Sequence, residues 1–519
     1  MALKSLDELV SKAHKQTGLD QSTIEGWCDE YQYNGYSVVD RYWIELPFVF
    51  AEIHYNEEYD SYQYVIHQPD LESELTTQMD VIADLMDIST EAIENASHPD
   101  LASAVHSIAC VTSRIDTLSL VEAYSIGYLL KNEKSPLDGI RGIVADSNIS
   151  SIDCSGKQAK LRVYNYKYGH IPSNIALSTA EMRSYIDQVR DETDSLERGG
   201  VSVNLDDKTR FFANDEDSCG TISFSIQTYD RGNISPIELI QSNIFDPYAM
   251  GYLWEIMSYG ANVVINGGTQ AGKSVTLNAI GNFIPMNQRV VSVEPQREIE
   301  LDHPYWTPMS SDDETPIEEV VEKSLRIHPD YVLFDEMRGG DETRLLFEAA
   351  MTGHSTALTM HAGSVEDSLT RLSAPPIDVP SSHLSTIDVM ISLAEYVQDG
   401  SSINRCSKIV EPGENLNGSI DALQSLLIGE WDSQTYEHTV QPSESALLDE
   451  IAESRLTTNE TVLQHIDFRG EILSYMAKQK LDSVSDITAV VTQYSSDPEI
   501  LSTIDSIGVE KWVTQNISE

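Results

Sequence analysis

Cysteine is scarce in this 519-residue chain, and so are cationic side chains. The five cysteines, Cys28, Cys110, Cys154, Cys219 and Cys406, stand far apart and form no Cys-x-x-Cys pair. That spacing argues against a zinc module or a disulfide framework and fits reduced thiols. Long apolar runs are missing too: none approaches the roughly 18 residues that a membrane helix needs. The first residues, Met1-Ala2-Leu3-Lys4-Ser5-Leu6-Asp7-Glu8, lack the apolar core of a signal peptide. The expected location is the cytoplasm, with any role at the inner face of the cell membrane running through a partner. No repeat of solenoid length is present, and no Asn-Lys-x-Asp motif for reading guanine.

The shortage of cations is large: 33 Lys and Arg stand against 84 Asp and Glu, a formal net charge of −51. The excess runs along the whole sequence. One reading is an acidic surface for a partner. The other is adaptation to molar salt, as in a halophile, where the Debye length falls to about 3 Å and self-repulsion is screened. The second is preferred because every segment is affected, so folding should depend on salt. Such a charge disfavours direct binding to nucleic acid or anionic lipid, which are both polyanions.

What is present fits a globular protein: 40% hydrophobic and 23% charged residues. At roughly 100 to 200 residues per domain the length suggests about three or four domains. Tyr42–Ile53 reads as a strand pair and Glu58–Ile66 as a half-buried strand, the latter by alternation of aromatic and polar residues. Helical patterns follow to residue 130. Ile149–Asp153 and Ala159–Tyr166 are further strand candidates, and Ser178–Asp194 opens with a cap signal and continues as an amphipathic helix. Residues 193–220 are rich in Asp, Gly and Asn, the composition of loops or short strands.

From residue 236 strands alternate with helices, the pattern of a mainly parallel α/β sheet. The strands are Asn262–Asn266, Arg289–Glu294, Tyr331–Asp335, Ser355–Met360 and Ile387–Leu393, with nearly continuous apolar runs that suit burial on both faces. After Glu411 the pattern reads as loop-rich, then helical from Ser443 onward. The expected organisation is an N-terminal α+β domain (1–115), a second α+β domain (116–232), an ATPase core (233–405) and a mostly helical C-terminal segment (406–519).

The chemistry concentrates in the core. Gly267-Gly268-Thr269-Gln270-Ala271-Gly272-Lys273-Ser274 follows an apolar strand and precedes the helical run that Val275 begins. This is a phosphate-binding P-loop: backbone N–H groups converge on one centre at a positive helix end. Lys273 would reach the β- and γ-phosphates, and Ser274 would ligate Mg²⁺. Asp335 and Glu336 end another apolar strand, where Asp335 can hold Mg²⁺ and Glu336 can orient the attacking water. Glu294 and Glu298 close the strand between them. His361 follows the strand Ser355–Met360, where parallel sheets bind ligands.

In these motifs the chain resembles the secretion-system ATPases that power type II secretion, type IV pili, archaella and related DNA-transfer machines. The P-loop, an acidic box at 292–298, the Walker B stretch Pro329–Gly339 and a His box from Thr352-Gly353-His354 to His361-Ala362 occur in the family's order. Ser235–Ile240 resembles the family's interdomain linker. Pro375–Pro380, the Tyr-rich N-terminal strands and Tyr168–Pro172 resemble its archaeal branch.

The resemblance implies a RecA-like core within a homohexamer, a flexible linker near 230–238 and a PAS-like second domain. It also implies ATP and Mg²⁺ as ligands, and domain motions passed to a polytopic membrane platform protein and, indirectly, to pilin-like subunits. Catalytic roles would fall on Glu336, Glu298, Glu294, His361 and Arg338. The sequence departs from the family at Thr269-Gln270-Ala271, Pro295 and Asp335. It departs again at Ile226-Gln227-Thr228-Tyr229, where the family carries an arginine; Arg210 and Arg231 are the nearest substitutes. The alternative from another class is a nucleotide-binding regulatory module with weak turnover.

Overall fold

The computed structural model describes residues 234–517 apart from 296, 312–314, 399–400, 415–419, 434, 436 and 498. Before that it describes 6–17, 21, 24, 37–46, 49–68, 79, 82, 98–111, 118, 120–132, 137–156, 159–165, 167–192, 201–206, 209–214 and 222–228. The chain divides into two compact units, residues 1–231 and residues 232–398 with 402–519.

The first unit is built on a nine-stranded sheet in the order β1-β2-β3-β6-β5-β4-β9-β8-β7. The strands are β1 (Ser37–Glu45), β2 (Val49–Asn56), β3 (Ser61–His67), β4 (Ile149–Ser155), β5 (Ala159–Asn165), β6 (Gly169–Leu177), β7 (Val201–Asp206), β8 (Thr209–Asn214) and β9 (Ser223–Thr228). The expected strand stretches supply β1 to β5, except that Leu46 and Glu58–Asp60 lie in turns and Pro47, Phe48 and Tyr166 lie outside the described residues. β3 and β6 meet in parallel at Tyr64 and Ser173. The Asn174 side chain closes that junction, accepting from the Ile66 N–H and donating to the Ile66 carbonyl, both at 3.0 Å. The helix Thr179–Glu192 turns Met182, Ile186 and Val189 into the same core as Ile152, Val163 and Phe211. Their spacing is the one-faced stripe of an amphipathic helix.

The second unit carries the sheet β12-β11-β13-β14-β10-β15-β16-β17-β18. These are β10 (Val263–Gly267), β11 (Val290–Glu294), β12 (Trp306–Ser310), β13 (Tyr331–Met337), β14 (Ser355–His361), β15 (Val389–Gln398), β16 (Ser401–Glu414), β17 (Ile420–Asp432) and β18 (Glu437–Val440). From β12 to β15 the neighbours are parallel. This is a mainly parallel α/β core, with helices in the intervening segments. Local chemistry sets its borders. Ser235 and Glu238 form a capping box around Pro236, and Asp246 caps the helix Pro247–Tyr259, which Gly260 ends at φ +100°.

Two readings of the sequence are corrected here. β12 went unread because Pro308 lies within it; at the sheet edge the missing N–H costs no ladder bond. The stretch after Glu411, read as loop-rich from its Pro, Gly and Asn, instead supplies β17, β18 and the end of β16. Antiparallel pairing absorbs Pro412 and Gly413 in the register shift between Glu411 and Gly413. Buried Glu411 then accepts from Tyr252 at 3.0 Å and from Ser445, tying β16 to two helices.

The C-terminal helices Ala446–Ser454, Asn459–Gln479, Val484–Ser496, Ile500–Ile507 and Val509–Ile517 share the core of the sheet's helices. Two glycines permit the closest approach: a Cβ on Gly251 would lie 2.8 Å from the Gly470 nitrogen and the Ile466 oxygen. Beside this crossing, fully buried Glu255 receives Arg455 on one oxygen and Arg469 on the other. The Arg469 guanidinium lies over Trp254 and Tyr494, 5.0 and 4.9 Å from their centroids. An unpaired carboxylate at this depth would be strongly destabilising. Arg455 is the outer, partly exposed partner. Arg455→Ala should therefore lower unfolding free energy by about 2 kcal/mol, the contribution of a hydrogen bond to a charged group; urea denaturation in molar KCl measures it. Among the described residues no helix is long and apolar enough to cross a membrane.

Candidate active site

Parallel pairing brings the separated motifs to one edge of the second sheet. Gly267 pairs with His361, and Val293 pairs with Phe334. The P-loop, Glu294, Asp335-Glu336 and His361 therefore all lie at the carboxyl ends of neighbouring strands, the place where open α/β sheets take ligands.

The P-loop runs from Gly267 into the helix Lys273–Gly281. Gly267 is required by packing, since a Cβ there would sit 2.8 Å from the Leu393 carbonyl oxygen. Gly272 caps the helix at φ +94°, a conformation that only glycine adopts freely. Gln270 is held at φ +62°. The Asn404 side-chain amide donates to the Gln270 carbonyl at 2.8 Å and so anchors the strained turn.

Lys273 is only 8% exposed. Its Nζ donates to the Gly268 carbonyl at 2.7 Å and to His361 Nδ1 at 3.4 Å. Because an ammonium group can only donate, Nδ1 accepts. His361 Nε2 then donates to Glu336 Oε1, 3.0 Å away. Burial first, and then the Lys273 charge, hold the His361 pKa below its ordinary value. Burial also pulls Lys273 downward, against the nearby carboxylates Asp335, Glu336 and Glu298.

Asp335 is buried and receives two hydroxyls, Ser274 Oγ on Oδ2 at 2.8 Å and Thr359 Oγ1 on Oδ1 at 2.6 Å. Burial nonetheless raises its pKa, and the Glu336 charge adds to the rise. Glu336 behaves in the opposite way. Burial pushes its carboxyl up, but Arg338, His361 and Lys273 outweigh burial and hold it below the ordinary range. Arg338 makes a direct ion pair with it.

The two glutamates at and beyond the end of β11 differ in kind. Glu294 is fully buried, and its Oε2 accepts the backbone N–H groups of Glu298 and Ile299 at 2.6 and 2.7 Å. It shapes the loop that carries Glu298. Burial raises its pKa to about 8 despite those bonds. Half-buried Glu298 sits close enough to Asp335, Glu294 and Glu336 that burial and these charges raise its pKa well above the carboxylate range.

Every core residue expected to act, from Gly267 to Val275 and on to Glu294, Glu298, Asp335, Glu336, Arg338 and His361, lies at this edge, on the loops leaving it or in the first turn of the helix Lys273–Gly281. Of the two candidate arginines outside the core, Arg210 is on β8 with its guanidinium over Phe212. Arg231 and Tyr229 lie outside the described residues. Three contributors carried no motif signal: Thr359, Asn404 and Arg371, whose Nη1 donates to the His361 carbonyl at 2.6 Å. Only Thr359 was within reach of a pattern argument, since it stands two residues before His361 and so on the same face of β14.

Residues 228–393 match the family described as "Type II/IV secretion system protein", and residues 22–70 match "PilB3-like, N-terminal". An uncharacterized protein of Methanocaldococcus jannaschii is 26% identical over 370 residues, 68% of this chain and 66% of its own length. A second from that organism is 29% identical over 254 residues, 47% of this chain and 92% of its own. The type IV secretion system protein PtlH of Bordetella pertussis is 29% identical over 169 residues, 30% of this chain and 50% of its own. The chain thus spans just under two thirds, about nine tenths and half of these relatives. The four motifs that assemble on one sheet edge fall within the segment, residues 228–393, that is similar to the type II/IV secretion system protein family.

Proposed function

We propose that this chain is an ATP-hydrolysing motor of a type IV pilus-like assembly or secretion system. In this reading the P-loop N–H groups and Lys273 hold the phosphates, and Glu336 orients the attacking water. His361 links Lys273 to Glu336, so the charge on the terminal phosphate and the position of the water are sensed together. Arg338 keeps Glu336 ionised. Glu298 adds a second carboxyl group near the reacting phosphate, and Glu294 positions it. Ser274 and Asp335 present hard oxygen donors of the kind Mg²⁺ prefers; the ion would neutralise charge on the β- and γ-phosphates.

The observation that carries this reading is the chain of contacts Lys273–His361–Glu336 beside Ser274–Asp335. It supports the reading because a buried lysine, a histidine, a carboxylate with a lowered pKa and a hydroxyl–carboxylate pair lie within one small space. Hydrolysis would move domains within a homohexamer, and that motion would act on a polytopic membrane platform protein and, through it, on pilin-like subunits. The test is phosphate release from ATP by the full chain in molar KCl. Release that stops when EDTA removes Mg²⁺ supports the motor. Tight ATP binding with no release would instead support a regulatory nucleotide-binding module.

A further inference from the structure

We propose that the Thr359 hydroxyl is the positioning group that sets where the Asp335 and Glu336 carboxylates stand. The inference rests on the roles given to those two residues above. Its basis is a break in the pairing of β13 with β14. Phe334 pairs with Leu358 and Met337 pairs with Met360, so two residues, Asp335 and Glu336, face the single residue Thr359. A bulge of this kind leaves a backbone group without its ladder partner. Here the partner is a side chain: the Glu336 N–H donates to Thr359 Oγ1 at 2.7 Å. The same hydroxyl donates its proton to Asp335 Oδ1 at 2.6 Å. One oxygen thus accepts from the backbone of one carboxylate residue and donates to the side chain of the other.

Two further facts make this bond a determinant of position. Glu336 sits at φ +67°, a region a non-glycine residue leaves unless something holds it there. Thr359 is fully buried, so bulk water cannot stand in for its hydroxyl. Its β-branched side chain has few rotamers, which aims the oxygen at the bulge without further support. The strand pleat places Thr359 and His361 on one face of β14, so the group that shapes the bulge and the group that contacts Glu336 Oε1 come from alternate positions of one strand.

Thr359→Val keeps the shape and removes the hydroxyl; Thr359→Ser keeps the hydroxyl and removes a methyl. In molar KCl, Thr359→Val should lower kcat by about tenfold or more, the scale of a small misplacement of catalytic groups. Its dissociation constant for ATP measured in EDTA should change by less than about twofold, since the P-loop is untouched. Thr359→Ser should recover most of kcat. A purely structural role would instead lower the melting temperature of both variants and leave kcat per folded molecule alone. Wild-type kcat in Thr359→Val, or a serine variant as slow as the valine one at equal stability, overturns the proposal. A crystal structure of Thr359→Val is the readout that does not depend on turnover. Glu336 should leave positive φ and the Asp335 carboxylate should rotate; an unchanged bulge overturns the proposal even if the wild-type chain hydrolyses no ATP. In that case the motor reading fails separately, on the absence of phosphate release from the wild type.

Discussion

Lys273→Ala is expected to reduce ATP turnover by on the order of 10³-fold, from loss of a preorganised cation at the transferring phosphate. The size follows from what the ammonium faces. Lys273 is nearly fully buried, so little solvent screens it. It is also the cation shared by Asp335, Glu336 and Glu298. Removing it leaves Asp335 and Glu298 without their facing cation, with Arg338 still paired to Glu336, where a polyphosphate must enter, so ATP affinity should fall together with turnover. His361 would lose the donor at Nδ1 and with it the link between phosphate and Glu336. Arginine should not rescue the site, because a planar guanidinium cannot take the place of a compact ammonium between the Gly268 carbonyl and His361. Phosphate release and fluorescent-ATP titration in molar KCl measure the two effects. Turnover within threefold of wild type, at unchanged ATP affinity, would remove the P-loop from the chemistry.

Glu336→Gln separates binding from chemistry. The amide keeps the volume and a hydrogen-bonding oxygen but cannot accept the proton of an attacking water. Turnover should fall by roughly 10²–10³-fold, within the range for a positioned base. ATP affinity should be kept or rise, because one negative charge leaves a site that receives a polyanion. The wild-type carboxylate is prepared for this work: Arg338, His361 and Lys273 outweigh burial and hold its pKa low, so it is ionised at every pH near neutrality. Asp335, a residue away, and Glu298 both have raised pKa values. The three carboxyl groups of one site are thus shifted in different directions, and Glu336 is the one whose neighbours favour its ionised form, as a base requires. A Glu336→Gln variant that binds no ATP would mean that Glu336 holds the site together and does not act on water.

The parts of this site that depend on local sequence could be read directly. A glycine at 272 is needed for a loop that enters a helix through φ +94°. An apolar strand ending in Asp335-Glu336 marks the carboxyl edge of a buried parallel sheet. Five core strands were legible from their apolar runs, because strands buried on both faces leave few polar residues among their neighbours. Where identity depends on pairing, the sequence was silent. β12 contains Pro308, which propensity rejects and an edge accepts. β17 and its partner β16 carry turn-forming residues that only their antiparallel register turns into bulges. The distinction between Glu294 and Glu298 was equally hidden, since both are glutamates at or beyond the end of one strand. Only the folded loop shows that one accepts two backbone N–H groups and the other faces Asp335.

Composition and spacing thus determine which groups this chain has to work with: a glycine-rich loop ending in Lys273-Ser274, paired carboxylates, a histidine and a chain-wide negative charge. These are properties of residue type and short-range geometry, and they need no distant contact to be expressed. Which carboxylate is ionised, which shapes a loop and which receives a hydroxyl is decided by tertiary structure, because each depends on burial and on partners brought together by the fold. Thr359 is the clearest case. Alone it is an ordinary strand residue; set opposite a two-residue bulge 23 and 24 positions earlier, it holds both carboxylate positions at once.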